Sequence, residues 1–396
     1  MVYLRLSRPL VVLFSLTPLS MASYPEVSSD QCNCYLTNGS SSLYFKTHKF
    51  FDFRNKGNYA GVPDLLQDQD ETTGADPTSG YFFTKEWTDN WSIQTWNNTA
   101  ALSSNESDAA TFMINSANNI YFEKNQDPNA DSNTFLTLRT ARLQDFQSSS
   151  EFESAQGNYH FVSSRMYART IGAPGAVTAM FTYRDDSGTG DVSEVQEADL
   201  EIRTQDPLNR IQYTNQPSLT AAGADIEDAT RNVTIPDSRI WTSWAVYRMD
   251  WSPDCTTWYI NGNEVASIPF QTPRDPSMVI FNSWSNGGSW TGNMTVGKDA
   301  YLQIQWIEIV FNTSDSSAPA QSKDKRSLTM LPGDAETLFE KRDDASCFNV
   351  CSIDDTQKIG TPVLLQQNAG SRVLAQIEVF GAFFWVTLLS SAWTLL

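Results

Sequence analysis

Short segments in which polar and apolar residues alternate run through the chain from about residue 35 to residue 311, for example at 135–139, 176–183, 244–251 and 302–310. Successive side chains of a β-strand point to opposite faces of its sheet, so each segment predicts a half-buried strand. Turn-forming residues, such as those at 186–190 and the pair Asn261-Gly262, separate the segments. Many strands without intervening helical patterns predict an all-β fold, a two-sheet antiparallel β-sandwich, over residues 35–312.

The composition fits such a fold and excludes one class of partner. The 396 residues include 12 Trp, 14 Tyr and 22 Phe, which suits a β-sandwich and also a protein that stacks sugars on aromatic rings. The formal net charge of −19 excludes a nucleic-acid partner, because phosphate binding requires clustered Lys and Arg.

Both ends of the chain carry targeting patterns. Residues 1–22 combine Arg5 and Arg8, an apolar run and the small-residue site Ser20-Met21-Ala22, which predicts a secretory signal peptide. Residues 368–396 end in an apolar tail preceded by small residues and a spacer, which predicts a glycosylphosphatidylinositol (GPI) attachment signal with Asn368 as the attachment site and Gly370 as the alternative site. An ordinary C-terminal membrane helix is the alternative for the tail.

Glycosylation and cysteine patterns agree with secretion. Seven asparagines begin an N-x-S/T sequon, namely Asn38, Asn90, Asn97, Asn105, Asn232, Asn293 and Asn312. Five cysteines in an oxidising compartment form two disulfides with one thiol left over, and their connectivity stays open. Residues 313–367 are expected to be a Ser/Pro/charged linker with a short segment, Cys347 to Cys351, that either forms a small knot or ties back to Cys32 and Cys34.

A cluster of carboxylates marks one strand. Glu197, Asp199 and Glu201 alternate with apolar residues, so a strand here places three acids on one face and its apolar side chains in the core. A retaining glycosidase needs two carboxyl groups roughly 5–5.5 Å apart. A solvated acidic face or a calcium site remains an alternative on this pattern alone.

Several motifs around this strand resemble glycoside hydrolase family 16, the laminarinase-like and lichenase-like enzymes, and their order is similar to that in fungal members. The carboxylate strand is similar to the family's E-x-D-x-E signature, and residues 247–253, 258–262 and 281–290 resemble its later strands. The resemblance covers about residues 45–311 and implies a concanavalin A-like jelly roll.

The resemblance also implies roles for individual residues. Glu197 would be the nucleophile, Glu201 the general acid/base and Asp199 an assisting carboxylate. The residues expected to bind substrate are Trp284, Trp290, Asn215, Gln216, Tyr183, Phe181, Arg165 and Asn286. Arg165 has the alternative role of offsetting the acidic cluster. No cofactor is expected, and the calcium ion that relatives carry on the convex face has no assignable ligands in this sequence.

The sequence therefore predicts a secreted, monomeric enzyme, GPI-anchored at the cell surface or wall, that cuts cell-wall β-glucan with β-1,3 or mixed β-1,3/1,4 linkages from within the chain. A glucan or chitin transglycosylase of the same family is one alternative. A sugar-binding or structural wall protein without catalysis is the other.

Overall fold

The computed structural model describes residues 24–104, 107–185, 194–220, 223–314 and 347–367. Five predictions lie outside these ranges wholly or in large part: the signal peptide at 1–22, the Asn105 sequon, the turn at 186–190, the linker at 315–346 and the GPI signal at 368–396 with Asn368. Within the described ranges, no helix is long and apolar enough to cross a membrane.

Strands dominate the described chain. They are β1 (Cys34–Leu36), β2 (Tyr44–Phe45), β3 (Thr47–Asp52), β4 (Trp91–Ile93), β5 (Met113–Asn115), β6 (Ile120–Lys124), β7 (Thr134–Arg142), β8 (Gln147–Ser154), β9 (Tyr159–Gly172), β10 (Val177–Arg184), β11 (Gln196–Arg203), β12 (Arg210–Gln216), β13 (Thr230–Thr234), β14 (Ala245–Trp251), β15 (Thr256–Ile260), β16 (Asn263–Ile268), β17 (Met278–Trp284), β18 (Asp299–Thr313), β19 (Asn349–Ser352) and β20 (Val363–Gln367). The α-helices are α1 (Gln69–Thr73), α2 (Lys85–Thr88) and α3 (Thr99–Ser103). Single 3-10 turns lie at Ser29–Gln31, Gly57–Tyr59, Gly80–Phe83, Ala117–Asn119, Glu227–Ala229 and Pro236–Ser238.

Two large sheets make up the sandwich. The first, called the site sheet below, has the order β13-β12-β11-β10-β17-β8, with β4 also paired to β8. The second has the order β7-β18-β9-β14-β15-β16, with β6 on β7 and β3 on β18. A short pairing of β7 with β8 joins the two sheets at one corner. The predicted all-β antiparallel sandwich is confirmed.

One core holds the two sheets together. Leu200 and Phe281 of the site sheet belong to the same buried cluster as Met249 and Ile304 of the second sheet, and all four side chains are fully buried. Burial of such side chains stabilises the fold by about 1.5–3 kcal/mol each. Since every second residue of β11 points into this core, the residues between them point outward from the site sheet.

The pair Asn261-Gly262 forms the turn that the sequence predicts. It connects β15 to β16, and both residues have positive φ, 49° for Asn261 and 80° for Gly262. Asn and Gly tolerate this left-handed conformation, and two such residues match the twist of a tight hairpin.

Residues 347–367 differ from the linker that the sequence predicts. They contribute β19 and β20 to a small sheet of order β2-β1-β19-β20, in which β1 and β19 run parallel. Disulfides Cys32–Cys351 and Cys34–Cys347 fasten this segment to the N-terminal part of the chain, and Cys255 is the unpaired thiol. The bridges to Cys32 and Cys34 are one of the two alternatives that the sequence left open for the Cys347 to Cys351 segment, whereas β19 and β20 are strands that the sequence did not predict. Val350, Ile353, Val363 and Leu364 of this segment are buried, and the two bridges that fasten it span 319 and 313 positions of the chain.

Arg165 lies under this C-terminal segment and away from the carboxylates of β11. It is on β9 in the second sheet, where its guanidinium Nη1 donates to Asp354 Oδ1 over 2.6 Å. Burial alone would raise the pKa of Asp354, but the charges of Arg165 and Arg248 outweigh it and hold that pKa below its usual range. The prediction that Arg165 binds substrate or offsets the acidic strand is therefore wrong, because its partner is Asp354.

Candidate active site

The three acidic residues of β11 share the outward face of the site sheet. Ala198 and Leu200, which alternate with them, are 0% exposed in the core. β11 lies between β10 and β12, so it is an inner strand with neighbours on both sides. The alternation seen in the sequence therefore places Glu197, Asp199 and Glu201 in one line at the middle of the sheet.

A row of side chains crosses the site sheet at the level of Glu201. Each of the six strands from β8 through β17, β10, β11 and β12 to β13 contributes one residue to this row, and each residue pairs with the next. In that strand order they are Glu151, Asn282, Ala179, Glu201, Gln212 and Asn232. Neighbouring strands are about 4.8 Å apart, so the row extends roughly 14 Å from Glu201 towards β8 and roughly 10 Å towards β13. This polar row is called the cleft row below.

Asp199 is the most enclosed of the three carboxyl groups. It is 2% exposed and makes hydrogen bonds with Glu197 and with Gln216. Burial and the negative charges of Glu197 and Glu201 raise its pKa well above the usual value. Two carboxyl groups in hydrogen-bonding contact hold a proton between them, so Asp199 is the donor and the Glu197 carboxylate the acceptor when only one is ionised.

The pKa values of the two glutamates are both raised, and to different extents. Burial raises the pKa of Glu197 to about 7, with the hydrogen bond from Asp199 opposing and the charge of Glu151 adding to the rise. Burial and the charge of Glu197 raise the pKa of Glu201 to about 8, against the opposing charge of Arg203. Glu197 therefore loses its proton at lower pH than Glu201.

Glu151 is a fourth carboxylate at the site, and it was not among the residues predicted from the sequence. It lies on β8 at the end of the cleft row, where Oε1 accepts from Trp96 Nε1 over 2.7 Å and Oε2 from Asn282 Nδ2 over 3.2 Å. Burial raises its pKa to about 6. The alternation of Glu151 and Glu153 around the buried Phe152 was the available signal, since it has the same period as the acids of β11.

A cleft of about 400 Å³ opens over these carboxylates. Of the residues predicted to act on substrate, Glu197, Glu201, Phe181, Trp284 and Asn286 line it. Its other walls include residues that the sequence did not single out for binding, among them Trp96, Asn98, Met113, Glu151 and Asn282. Trp96 is 46% exposed, so part of its ring is available for contact with a ligand.

Trp284 and Trp290 stack on each other at one side of the cleft. Their ring centroids are 6.0 Å apart with an angle of 24° between the planes. Arg203 lies over Trp290 at 5.3 Å, and the carboxylate of Asp108 accepts hydrogen bonds from the backbone and side chain of Ser289 in the intervening loop. These contacts hold the loop and both rings in place, so that Trp284 lines the cleft while Trp290 lies behind it, outside the lining.

The two candidates on β12 point in opposite directions. Asn215 pairs with Ala198 and is fully buried on the core face, where Nδ2 donates to the carbonyls of Ile268 and Phe270. The prediction that Asn215 binds substrate is therefore wrong. Gln216 pairs with Glu197 on the outward face and bonds Asp199. The register of β12 against β11 decides which of the two side chains faces the core and which faces outward, and the sequence does not specify that register.

Tyr183 lies beside the carboxylates without lining the cleft. It pairs with Glu197 across the β10–β11 ladder and packs partly against Phe181 and Ile280. Its hydroxyl donates to Asp185 over 3.5 Å.

The described residues contain no group of three or more His, Cys, Asp or Glu side chains arranged to hold a metal ion.

The family model for glycosyl hydrolases family 16 matches residues 107–308. This range contains all four carboxylates of the site and the stacked tryptophans. The chain belongs to glycosyl hydrolases family 16.

Curated relatives in this family are similar over part of their length. A beta-glucanase of Bacillus subtilis (strain 168) is 23% identical over 142 residues, which are 34% of this chain and 51% of that protein. The chain thus spans about half the length of this Bacillus relative. A xylanase/beta-glucanase of Ruminococcus flavefaciens is 27% identical over 174 residues, 41% of this chain and 19% of that protein.

Solved structures in the family are similar at low identity. The endo-beta-1,3-glucanase of Pyrococcus furiosus has a TM-score of 0.46 and 15% identity, covering 68% of this chain and 96% of that one. The beta-glucanase of Bacillus licheniformis has a TM-score of 0.40 and 17% identity, covering 56% of this chain and 92% of that one.

Replacing Glu201 by Gln is expected to stabilise this family 16 protein at alkaline pH. The raised pKa means that folding favours the protonated acid, so its contribution to stability is fully present below the usual value of 4.5 and is lost progressively as the pH rises to about 8. Glutamine stays neutral, so the variant should gain on the order of 5 kcal/mol at pH 9 and less than about 1 kcal/mol at pH 5. Urea unfolding at the two pH values measures this. The exposed Glu227→Gln is the control, and an equal effect in both variants would contradict the account.

Proposed function

We propose that this protein is a retaining, endo-acting glycoside hydrolase of cell-wall β-glucan, with Glu197 as nucleophile and Glu201 as general acid/base. The observation that carries the proposal is geometric: Glu197 and Glu201 lie on the same outward face of β11, with Asp199 between them, and both line one open cleft. The electrostatics agree with the two roles, because the hydrogen bond from Asp199 favours an ionised Glu197 and the charge of Glu197 favours a protonated Glu201.

The reaction follows from these protonation states. Glu201 gives its proton to the glycosidic oxygen while Glu197 attacks the anomeric carbon, so the bond to the leaving sugar breaks and a glycosyl ester on Glu197 forms. Glu201, now ionised, takes a proton from water, whose oxygen attacks the same carbon and releases Glu197. Asp199, protonated and bonded to Glu197, stabilises the nucleophile as an anion before attack.

Cleavage within the polymer is supported by the position of the carboxylates in the sheet. The cleft row continues for three strands on one side of Glu201 and for two strands on the other. The sugar units on both sides of the scissile bond can therefore contact the site sheet. Trp96, Phe181 and Trp284 present rings along the cleft, and the faces of such rings pack against the C–H groups of a pyranose.

The β-glucan substrate is supported by the relatives, whose names are beta-glucanase and xylanase/beta-glucanase. We propose β-1,3 or mixed β-1,3/1,4 linkages. Transglycosylation onto a glucan or chitin acceptor is the second candidate. It shares the first half-reaction with hydrolysis and differs only in whether water or a sugar hydroxyl attacks the glycosyl ester on Glu197.

The place of action follows from the sequence patterns at the two ends. We propose that the protein is secreted and GPI-anchored at the cell surface through Asn368, and that it acts as a monomer. Phosphatidylinositol-specific phospholipase should then release it from intact cells into the medium. Retention in the membrane fraction after this treatment would favour a C-terminal membrane helix.

Product analysis tests the proposed activity. The secreted protein, ending after residue 367 so that the β20 strand is kept, is incubated with laminarin, lichenan and chitin oligosaccharides. Shorter products from laminarin or lichenan are expected, and Glu197→Gln should lower turnover by at least about a thousandfold, the scale for loss of a nucleophile. Glu227→Gln, on the surface, is the matched control.

Three other outcomes would change the assignment. Products longer than the substrate would identify a transglycosylase. Binding of glucan without any change in its length would identify a carbohydrate-binding protein. Substantial activity in Glu197→Gln with an unchanged fold would contradict the role of Glu197.

A further inference from the structure

Two of the sequon asparagines lie at opposite ends of the cleft row. Asn232 is the last member of the row on β13, the edge strand of the site sheet. Asn97 lines the cleft beyond the other end, next to Trp96, whose indole bonds Glu151. The other described sequons, at Asn38, Asn90, Asn293 and Asn312, do not belong to the row, and the cleft lining contains none of them.

Asn232 points to the same side of the sheet as the catalytic carboxylates. It pairs with Gln212, which pairs with Glu201, and paired residues of antiparallel strands have their side chains on one face. Its neighbour Val233 packs partly against the core, as the alternation requires. Asn232 is exposed, and two strand spacings place it about 10 Å from Glu201.

Asn97 is exposed in the wall of the cleft. Its Oδ1 accepts hydrogen bonds from the backbone nitrogen of Thr99 over 3.1 Å and from the Thr99 hydroxyl over 2.6 Å. Both bonds use the amide oxygen, so they orient the side chain and leave its nitrogen directed away from Thr99. The partly exposed ring of Trp96 is the adjacent residue, within reach of a sugar attached to this nitrogen.

The amide nitrogens separate these two sites from the sequons at Asn90 and Asn312, whereas Asn38 and Asn293 resemble them in this respect. Among the described residues, Asn97 and Asn232 donate no side-chain hydrogen bond. By contrast, Asn90 Nδ2 donates to the carbonyl of Glu86 over 3.0 Å, and Asn312 Nδ2 donates to that of Tyr44 over 3.1 Å. A sugar on Asn97 or Asn232 therefore displaces no bond of the fold.

We propose that N-glycans on Asn97 and Asn232 close the two ends of the cleft row and thereby weaken the binding of long glucan chains relative to short ones. This inference rests on the proposed β-glucan hydrolase. In the modification, the amide nitrogen bonds to C1 of the first sugar, the bond from C1 to a lipid-linked pyrophosphate breaks, and the nitrogen loses one proton. The glycan on Asn97 competes with the substrate for Trp96, and the glycan on Asn232 covers the edge strand.

The test uses protein secreted by a eukaryotic host, with glycopeptide mapping of each sequon. Thr99→Val and Thr234→Val remove the two sequons and leave both asparagines in place. Thr295→Val removes the sequon of Asn293, an exposed asparagine outside the cleft lining, and is the matched control. With both cleft glycans gone, KM for lichenan or laminarin polymer should fall roughly three- to tenfold, the effect of about one ring contact. KM for a tetrasaccharide and both kcat values should stay unchanged, and in Thr295→Val the polymer KM should stay unchanged as well.

A second readout separates failure of this inference from failure of the proposed function. The same sequon variants in a Glu197→Gln background are compared for polymer binding by affinity electrophoresis, which needs no turnover. Tighter polymer binding without any hydrolysis in the parent protein would support the glycan inference and refute the hydrolase. Unoccupied Asn97 and Asn232, or occupied sites whose removal leaves polymer KM and binding unchanged, would overturn the glycan inference alone.

Discussion

The enclosure of three carboxyl groups on one strand is the constraint on which the site depends. Placing like charges beside each other in a partly dehydrated cleft opposes ionisation, and the fold resolves this by keeping protons on the acids. Asp199 is the most buried of the three, and its hydrogen bond favours the ionised form of Glu197. The same burial that destabilises the fold at alkaline pH therefore favours the protonation states that the proposed reaction requires.

The rest of the structure maintains that enclosure. The core behind β11, where Leu200 packs with Phe281 and the second sheet, fixes the strand so that its acids face outward. On the far side of the second sheet, the C-terminal segment brings Asp354 to Arg165 and two disulfides hold it there. A buried guanidinium without its carboxylate costs about 3–5 kcal/mol, so this segment is part of the folded domain even though it is distant from the cleft.

The sequence predicted what depends on local pattern and missed what depends on register or on distant contacts. The period of two predicted the sandwich and the acidic face of β11. It could not decide between Asn215 and Gln216, because a shift of one residue in the pairing of β12 exchanges their faces. Arg165 was misassigned because Asp354 lies 189 residues away. Glu151 was detectable from its alternation with Phe152, but its place in the cleft row required the order of β8, β17 and β10.

The central claim, that Glu197 is the residue that bonds to the sugar, is tested most directly by trapping the glycosyl-enzyme. A 2-deoxy-2-fluoro β-glucan oligosaccharide with a good leaving group forms such an ester and slows its hydrolysis, so it accumulates. Cleavage after Arg184 and Arg203 yields one peptide that contains both glutamates, and fragment sequencing locates the added mass. The account predicts one sugar per protein, on Glu197. A sugar on Glu201 or Glu151, or steady turnover of the reagent without any adduct, would contradict it.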